Sequence, residues 1–263
     1  MNSSINEIRK AKSVLVDGVI PGTIAYQVAK TFLLTGEVET LIFSAHDEKL
    51  LSTAVKNLEA ETESDNFIHH VADYADSNQV EELASFVLSH VEESLGIVCF
   101  CAGVTKSNPI TGDIEKSRRI FDINVFAQRQ LLSKFVPGMK KREFGHLMAL
   151  GSSQAFYGTP ELGDYAASKS ALMSYMRTAA VELGRDGIKT KCIVPGMVEV
   201  DRIDPELVQR TANILPSGKS TKAEEIANLA ISLLSPTFDS LGSQIFFDGN
   251  RSLLSPGGTV ALN

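Results

Sequence analysis

The segment SVLVDGVIPGTI, residues 13–24, joins a short apolar stretch to a turn with two glycines and then to a segment with helical periodicity. A continuous apolar run is typical of a strand that is covered on both faces of a sheet. Glycine permits a positive φ and a close approach of backbone to ligand, and the N-terminus of the following helix offers N–H donors to a phosphate. The segment therefore predicts a strand, a turn and a helix that can bind a phosphate-containing ligand. Taken alone, a tight turn without any ligand explains it equally well.

The same alternation of strand-like and helix-like segments continues along the chain. Seven segments rich in β-branched and apolar residues, several of them continuously apolar, are predicted strands: residues 13–17, 40–44, 67–72, 97–101, 146–150, 189–194 and 244–247. Six segments with apolar residues three and four apart are predicted helices: residues 22–36, 47–60, 77–94, 117–141, 165–184 and 222–234. This order is typical of consecutive βαβ units, whose right-handed crossovers place helices on both faces of a parallel sheet. We therefore expect an α/β fold with a Rossmann-type, doubly wound, seven-stranded parallel sheet in a single domain.

The predicted domain spans residues 13–250. Residues 1–12 are mostly polar and are expected to form a flexible N-terminus, and residues 251–263, with Pro256 and two glycines, are expected to form a C-terminal tail. Residues 1–12 lack the apolar run of a secretory signal, and no later segment reaches the length of a membrane span. We therefore expect a cytoplasmic protein.

The composition argues against several classes of partner and site. The chain has 263 residues, 43% of them hydrophobic, and a formal net charge of −7 at pH 7. Phosphate backbones and anionic lipid surfaces would repel such a chain, so neither nucleic acid nor a membrane is expected as a partner. Cys99, Cys101 and Cys192 lie in apolar segments without a histidine cluster, so we expect no disulfide framework and no metal site.

Two segments carry residues that suit proton transfer. Gly151-Ser152-Ser153 follows a predicted strand, and Tyr165-Ala-Ala-Ser-Lys169 begins a predicted helix. Residues four apart share one face of a helix, and a lysine ammonium near a phenol favours the phenolate electrostatically. The pair therefore suits Tyr165 to act as an acid or base. In isolation, a packed tyrosine beside a solvated lysine is the commoner explanation of this spacing.

From about Ser13 to Asn250 the chain resembles the short-chain dehydrogenase/reductase family, in the type that has a Tyr-x-x-x-Lys pair. Ser152 stands thirteen residues before Tyr165, as that family's pattern requires, and Asn124 matches the family's helix asparagine. Further family motifs follow in the family's order: Asp73, Cys101-Ala-Gly103, Pro195-Gly196 and Phe247-Asp-Gly249.

This resemblance implies an NAD(P)-dependent oxidoreductase that transfers a hydride between the nicotinamide and a ketone or secondary alcohol, as a carbonyl reductase. The implied catalytic residues are Asn124, Ser152, Tyr165 and Lys169. The implied cofactor-binding residues are Gly18, Gly22, Ile24, Ser44, Asp73, Ala102, Gly103, Tyr165, Lys169, Pro195, Gly196 and Val198. Ser152 would bind the substrate carbonyl, Tyr165 would exchange the proton, and Asn124 would help to hold a water. Family resemblance also implies a homotetramer or a homodimer, built on the two long helices and the last strand.

The chain departs from the family pattern around the cofactor. In place of Thr-Gly-x-x-x-Gly-x-Gly, it has Asp17 for the threonine and Ile24 for the last glycine. We expect Asp17 to bring a negative charge near the diphosphate and Ile24 to add bulk beneath it, so that both weaken cofactor affinity. Cys101 and Val200 replace polar family residues, and each replacement removes about one hydrogen bond, worth roughly 0.5–1.5 kcal/mol.

The cofactor preference is read from the end of the second predicted strand. Ser44-Ala45-His46 offers no carboxylate to the adenosine ribose and no arginine. A 2′-phosphate would therefore not be repelled, and Ser44 and His46 are candidates to contact it. We expect NADP(H) to be preferred over NAD(H), although His46 also fits a solvated surface residue.

Two other functions and an open substrate question stand beside the reductase hypothesis. One alternative is a non-redox lyase or isomerase of the same fold, and the other is a non-catalytic cofactor-sensing or scaffold protein with a degraded dinucleotide site. The presence of Lys169 favours redox chemistry. Residues 198–215 are expected to form a substrate loop with Ile203, Leu207 and Ile214, together with Met197, as apolar lining, and with Gln154, Phe156 and Tyr157 on the opposite wall. A core position is the commoner explanation for Ile203 and Leu207.

Overall fold

The fold is a seven-stranded parallel sheet between two layers of helices, in a computed structural model that describes residues 2–91, 95–201 and 203–251. The strands of this sheet are β1 (Ser13–Val16), β2 (Thr40–Ala45), β3 (Phe67–Val71), β4 (Ile97–Phe100), β5 (Gly145–Leu150), β6 (Ile188–Pro195) and β9 (Gln244–Phe247). Their order is β3-β2-β1-β4-β5-β6-β9, and every neighbouring pair is parallel. The predicted single-domain Rossmann-type architecture is confirmed, because all seven predicted strands are present.

Helices cover both faces of the sheet. They are α1 (Asn2–Ala11), α2 (Ile24–Thr35), α3 (Glu48–Thr62), α4 (Ser77–Ser89), α5 (Ile114–Phe121), α6 (Ala127–Arg142), α7 (Gly163–Leu183), α8 (Pro205–Ile214) and α9 (Ala223–Ser232). The buried side chains of α2, α3 and α9 form one apolar cluster with one sheet face. Those of α4, α6 and α7 form a second cluster with the other face. Val14 and Val16 of β1 enter the first cluster and Leu15 enters the second, which explains why three consecutive residues of this strand are apolar.

The N-terminus is a helix, which corrects the expectation of a flexible segment over residues 1–12. Ser4, Ile8 and Ala11 lie on one face of α1 and are buried. The Glu7 carboxylate lies 3.0 Å from His146 Nε2 at the start of β5. Burial lowers the pKa of His146, so the neutral imidazole donates this hydrogen bond, which in turn holds the pKa of Glu7 below its usual value. Helix α1 therefore packs against the edge of the sheet at which the strands begin. Residues 252–263 of the predicted tail lie outside the described residues.

The predicted long helix over residues 117–141 is interrupted. The chain forms α5, then a π-helical turn at Asp122–Phe126, and then α6. A π turn inserts one extra residue per turn and thereby re-aims the side chains around it. The turn contains Asn124, whose side chain is fully buried.

The region expected to be a loop over residues 198–215 is largely regular. Asp204 caps α8 by accepting a hydrogen bond from the Glu206 N–H, and Pro205 occupies the first helical position, where its missing donor costs nothing. Before α8, Val198–Glu199 forms strand β7, which pairs with β8 (Thr221–Lys222). These elements stand over the carboxyl edge of the main sheet, after β6.

Asp17 fastens the turn after β1 to the end of β4. Its side chain is fully buried, and Oδ1 accepts hydrogen bonds of 2.5 Å from the N–H groups of Cys101 and Ala102. Gly18 follows with a φ of 72°, and a Cβ on this residue would lie 2.7 Å from the Ala102 Cα. Asp17 is therefore buried beneath the turn, where it joins the turn to the end of β4, and its expected effect on cofactor affinity stays a prediction.

None of the helices in the described ranges has both the length and the apolar character that crossing a membrane requires.

We expect Glu7→Ala to lower the free energy of unfolding by about 1–3 kcal/mol, because it leaves the buried His146 without its partner. The matched control is Glu37→Ala, which removes the partner of Arg9 on the exposed side of the same helix. Exposed ion pairs contribute about 0–1 kcal/mol. Urea unfolding at pH 7 measures both variants, and equal losses in the two would contradict the anchoring role of Glu7.

Candidate active site

The predicted site residues follow the carboxyl ends of four adjacent strands. Gly18 follows β1, Ala102 and Gly103 follow β4, Ser152 follows β5, and Pro195 ends β6. Parallel strands direct these ends to one edge of the sheet, where ligands of open α/β folds bind. The structure therefore brings together residues that are far apart in the sequence.

Ser152 follows the carboxyl end of β5 and is buried, with 6% of its surface exposed. Its Oγ accepts a hydrogen bond of 3.2 Å from the Gln154 N–H and so begins the short helical turn at Ser153–Phe156. Because Oγ accepts this bond, its own O–H remains available as a donor.

Tyr165 lies in the first turn of α7 and is half-buried. Across the described ranges its hydroxyl has no hydrogen-bond partner, while its main-chain oxygen accepts a bond from the Ser168 hydroxyl. The phenol is thus positioned by the helix and by packing, and its hydroxyl is free to bond to a ligand.

Lys169, one helical turn further on, is buried, with 4% of its surface exposed. Its Nζ donates a hydrogen bond of 2.8 Å to the Leu150 carbonyl at the end of β5. A Cβ on Gly103 would lie 3.1 Å from the same Nζ. The commoner explanation of the sequence spacing, a solvated lysine, is therefore excluded: the ammonium lies inside the protein beside the end of β4.

Asn124 connects α7 to the segment after β4. Its Oδ1 accepts a bond of 2.8 Å from the Val104 N–H, and its Nδ2 donates bonds to the Ser168 hydroxyl, at 2.9 Å, and to the Val104 carbonyl, at 3.1 Å. The side chain is thus fully engaged with the protein, and it holds the walls of the site at a fixed separation.

The turn after β1 has the features of a phosphate-binding turn. Gly18 and Gly22 have φ values of 72° and 71°, a conformation that side chains rarely adopt. Thr23 caps α2 and accepts a bond from the Tyr26 N–H, and Ile24 is the first helical residue. Ile24 packs against the apolar cluster beneath the turn. The core therefore covers Ile24 in part, and the two glycines and the helix N-terminus of the turn fit a dinucleotide.

Asp201 is a residue of this edge that the sequence analysis missed. Its N–H donates a bond of 3.3 Å to the Gly22 carbonyl, and a Cβ on Gly22 would lie 2.3 Å from its Oδ2. The segment after β7, which includes the half-buried Val200, therefore lies against the glycine turn. Sequence patterns gave no signal for this contact, because the two segments are distant along the chain.

At the end of β2, where the adenosine ribose is expected, the structure does not place Ser44 as the sequence suggested. Ser44 is fully buried and its hydroxyl bonds to the Tyr74 hydroxyl, so the structure does not bring it to a 2′-phosphate. His46, the residue directly after β2, is exposed, and the next residue, Asp47, caps α3. The Asp73 carboxylate accepts bonds of 2.9 and 3.2 Å from Arg119.

The proposed substrate walls carry exposed apolar side chains. Leu207 and Ile214 are 42% and 49% exposed, so the core explanation for Leu207 is wrong, and Ile203 is half-buried. On the other wall, Phe156 is 51% exposed and packs on Phe246 at 5.1 Å between ring centroids. The Tyr157 hydroxyl, next to it, lies 2.9 Å from the Ser153 hydroxyl, and Gln154 bonds to Thr159.

Comparison with known proteins agrees with this geometry. Residues 18–249 match the sequence model of a family described as enoyl-(acyl carrier protein) reductase. The 7alpha-hydroxysteroid dehydrogenase of Escherichia coli (strain K12) is 28% identical over 195 residues, which cover 73% of this chain and 74% of that protein. The 3-oxoacyl-(acyl-carrier-protein) reductase of Thermotoga maritima is 26% identical over 211 residues, which cover 79% of this chain and 85% of that protein.

Solved structures share the fold. A 7 alpha-hydroxysteroid dehydrogenase complexed with NADH and 7-oxo glycochenodeoxycholic acid superposes with a TM-score of 0.82 at 24% identity, over 100% of both chains. L-sorbose reductase from Gluconobacter frateurii, complexed with NADPH and L-sorbose, gives a TM-score of 0.80 at 24% identity, over 90% of this chain and 95% of that chain.

These comparisons give no support to the lyase, isomerase or scaffold alternatives. The family match covers nearly the whole seven-stranded domain. The chain belongs to the short-chain dehydrogenase/reductase family and is an NAD(P)-dependent oxidoreductase that acts on an alcohol or ketone substrate.

Proposed function

We propose that the protein is a carbonyl reductase that converts a ketone to a secondary alcohol, and that Asn124, Ser152, Tyr165 and Lys169 do this work. The observation that carries the proposal is the burial of the Lys169 ammonium one turn after Tyr165, beside the end of β4. Burial of an ammonium costs stability, so a role in the site gives a reason for its position. Its presence next to a free phenol is the arrangement that proton transfer needs.

Ser152 binds the substrate carbonyl. Its O–H is a free donor, and the turn that it caps fixes the direction of that donor. Because the hydroxyl is nearly buried, its hydrogen bond to a carbonyl oxygen would be little weakened by water. Ser152 thereby holds the carbon–oxygen bond in one orientation.

Tyr165 gives its proton to the substrate oxygen as a general acid. Lys169 favours the phenolate that remains, because its positive charge lies on the same face of α7. Asn124 keeps the end of β4 against α7 through its bonds to Val104 and Ser168, so the distance between these groups is maintained.

The dinucleotide, when bound, supplies or accepts the hydride. Its diphosphate would lie over Gly18 and Gly22 at the N-terminus of α2, where Ile24 forms the floor. Ala102 and Gly103 let it approach the end of β4, with Asp73 at the adenine and Lys169 and Tyr165 at the nicotinamide ribose. Pro195, Gly196 and Val198, at the end of β6 and after it, would hold the nicotinamide.

The substrate that these walls suit is a medium-sized, partly apolar ketone. Phe156, Leu207 and Ile214 offer exposed apolar surface, which would be shielded from water when such a ketone binds.

The cofactor that the adenosine end favours is NADP(H) over NAD(H). His46, the residue directly after β2, is not a carboxylate, and the next residue, Asp47, is engaged as the cap of α3. With Ser44 buried, His46 is the remaining candidate to contact that phosphate.

The assembly that the surface favours is a homotetramer, with a homodimer as the alternative. Val181 on α7 is 83% exposed, and Phe246 on the edge strand β9 is 43% exposed. Exposed apolar side chains on a long helix and on an edge strand fit contacts between copies of the chain.

Tyr165→Phe is expected to lower turnover of ketones by at least about 100-fold, because the proton donor is lost, while affinity for NADPH stays within about twofold. Lys169→Ala is expected to weaken both. A panel of ketones with NADPH measures turnover, and fluorescence titration measures binding. The control is Tyr175→Phe, on an exposed part of the same helix. Retained turnover in Tyr165→Phe would rule out the assigned acid.

His46→Asp is expected to weaken NADPH binding about tenfold and to leave NADH binding nearly unchanged, because the new carboxylate would repel a 2′-phosphate. Thr53→Asp adds the same charge at an exposed position further along α3 and serves as the control. Fluorescence titration of both cofactors measures the effect. Equal changes for NADH and NADPH would show that the 2′-phosphate is not bound near His46.

Light scattering coupled to size-exclusion chromatography is expected to give the mass of four chains. Val181→Glu is expected to shift the protein to a smaller assembly, because it places a charge in a helix contact. A monomeric wild-type protein would contradict the proposed assembly.

A further inference from the structure

Asp17 and Lys169 are two buried charged groups that lie close to the same segment of the chain. Asp17 is 0% exposed and Lys169 is 4% exposed. In the part of the chain that the structure describes, neither forms a salt bridge: Lys169 donates to a carbonyl, and Asp17 accepts from two peptide N–H groups. The second carboxyl oxygen of Asp17, Oδ2, is buried and has no hydrogen-bond partner there. The partners seen thus satisfy both side chains only in part.

The two groups lie on either side of residues 101–103. Asp17 Oδ1 holds the N–H groups of Cys101 and Ala102 at 2.5 Å, and Gly103 lies against Lys169, whose Nζ would be 3.1 Å from a Cβ there. The carboxyl and the ammonium are thus separated by one short stretch of backbone. Inside a protein, two opposite charges attract each other more strongly than at the same separation in water.

The balance of effects on Asp17 places its ionisation in the neutral range. Burial raises its pKa to about 7, against the lowering by the Ala102 and Cys101 hydrogen bonds and by the charge of Lys169. Near pH 7 the carboxyl group therefore exists in both forms, in contrast to an exposed aspartate.

The other titratable groups around Asp17 stay neutral at this pH. Tyr74 faces it from the segment after β3, and Cys99 and Cys101 face it from β4 and its end. Burial raises the pKa of Tyr74 and of Cys99, and the charge of Asp17 raises both further. Burial also raises the pKa of Cys101. Lys169 is therefore the charged group that interacts with Asp17 from the packed elements.

We propose that Asp17 is a positioning residue for the proton transfer: its carboxylate is the counter-charge of Lys169, so that gain or loss of this one charge changes how readily Tyr165 releases its proton. The inference rests on the proposed roles of Tyr165 and Lys169. It assigns to Asp17 a task that a neutral residue at this position could not perform, beyond the clamp on β4.

The direction of the effect follows from the charges. An ionised Asp17 stabilises the ammonium but opposes a second negative charge on the phenol of Tyr165. A protonated Asp17, or a neutral substitute, removes this opposition and makes the phenolate easier to form. The pH dependence of the reaction in the wild type therefore contains two coupled ionisations.

The first experiment follows Asp17 itself in the free protein, by carbon-13 NMR of labelled aspartate from pH 4 to 10. The Asp17 signal, identified by its absence in Asp17→Asn, is expected to titrate in the neutral range. Lys169→Gln removes the ammonium and is expected to raise the midpoint by about one pH unit. Lys134→Gln, which breaks a surface pair with Glu81, is the control and leaves the midpoint unchanged. An Asp17 signal that ignores Lys169→Gln would overturn the proposal.

The second experiment measures the effect of Asp17 on the ionisation of Tyr165. The ultraviolet absorbance of the phenolate is titrated in the free protein, and the curve of Tyr165→Phe is subtracted. Asp17→Asn and Asp17→Thr are both expected to move the Tyr165 transition to lower pH, because each removes the negative charge that opposes the phenolate. Asp17→Thr replaces the clamp by a hydroxyl acceptor and serves if the asparagine variant does not fold.

Glu7→Gln, at the opposite edge of the sheet, is the control and leaves the Tyr165 transition in place. Unshifted Tyr165 transitions in the folded Asp17 variants would reduce Asp17 to a structural clamp. Neither titration requires substrate or cofactor, so a failed coupling is distinguished from a failed assignment of the reaction. Where turnover is measured, the pH profile of kcat/KM is expected to fit two ionisations in the wild type and one fewer in Asp17→Asn.

Discussion

The hydrogen bonds from the Cys101 and Ala102 N–H groups to the buried Asp17 carboxyl are the interaction on which the site depends. They hold the glycine turn after β1 against the end of β4, at the point where two halves of the sheet meet. Gly18 packs against Ala102, and Gly103 packs against Lys169. A shift of the turn would therefore shift residues 102–103 and, with them, the surroundings of the Lys169 ammonium. Loss of the Asp17 hydrogen bonds would therefore disturb both the glycine turn after β1 and the surroundings of Tyr165 and Lys169.

The second constraint is the closed packing of α7 against the ends of β4 and β5. Lys169 reaches the Leu150 carbonyl, and Asn124, in the π turn between α5 and α6, bonds to Ser168 on the same helix. A regular helix over residues 117–141 would have aimed Asn124 elsewhere, because the extra residue of a π turn changes the direction of the side chains that follow. The irregularity thus places an amide where two elements need a bridge. Tyr165 and Ser152 keep free hydroxyl donors because the surrounding residues satisfy the other polar groups.

The sequence allowed the sheet to be predicted and supplied the candidate catalytic residues, but it did not reveal the contacts between distant segments. Buried parallel strands are apolar along their whole length, and a tyrosine and a lysine four apart share a helical face, so both features leave a local pattern. Helix α1 left a weaker one: Ile5, Ile8 and Ala11 recur every three residues within a polar segment. The burial of Ser44 beneath Tyr74 and the contact of Asp201 with Gly22 left none, because each depends on residues that are remote in the sequence.

The departures from the family pattern around the cofactor take on a different meaning in the folded chain. Ile24 and Asp17 both point beneath the glycine turn, the first into the apolar cluster and the second onto the β4 backbone. A larger residue under a turn is tolerated when the core has room for it, and a buried acceptor in place of a hydroxyl keeps the same N–H groups satisfied. The altered residues therefore change the support of the cofactor site and its internal charge, while the turn keeps Gly18 and Gly22.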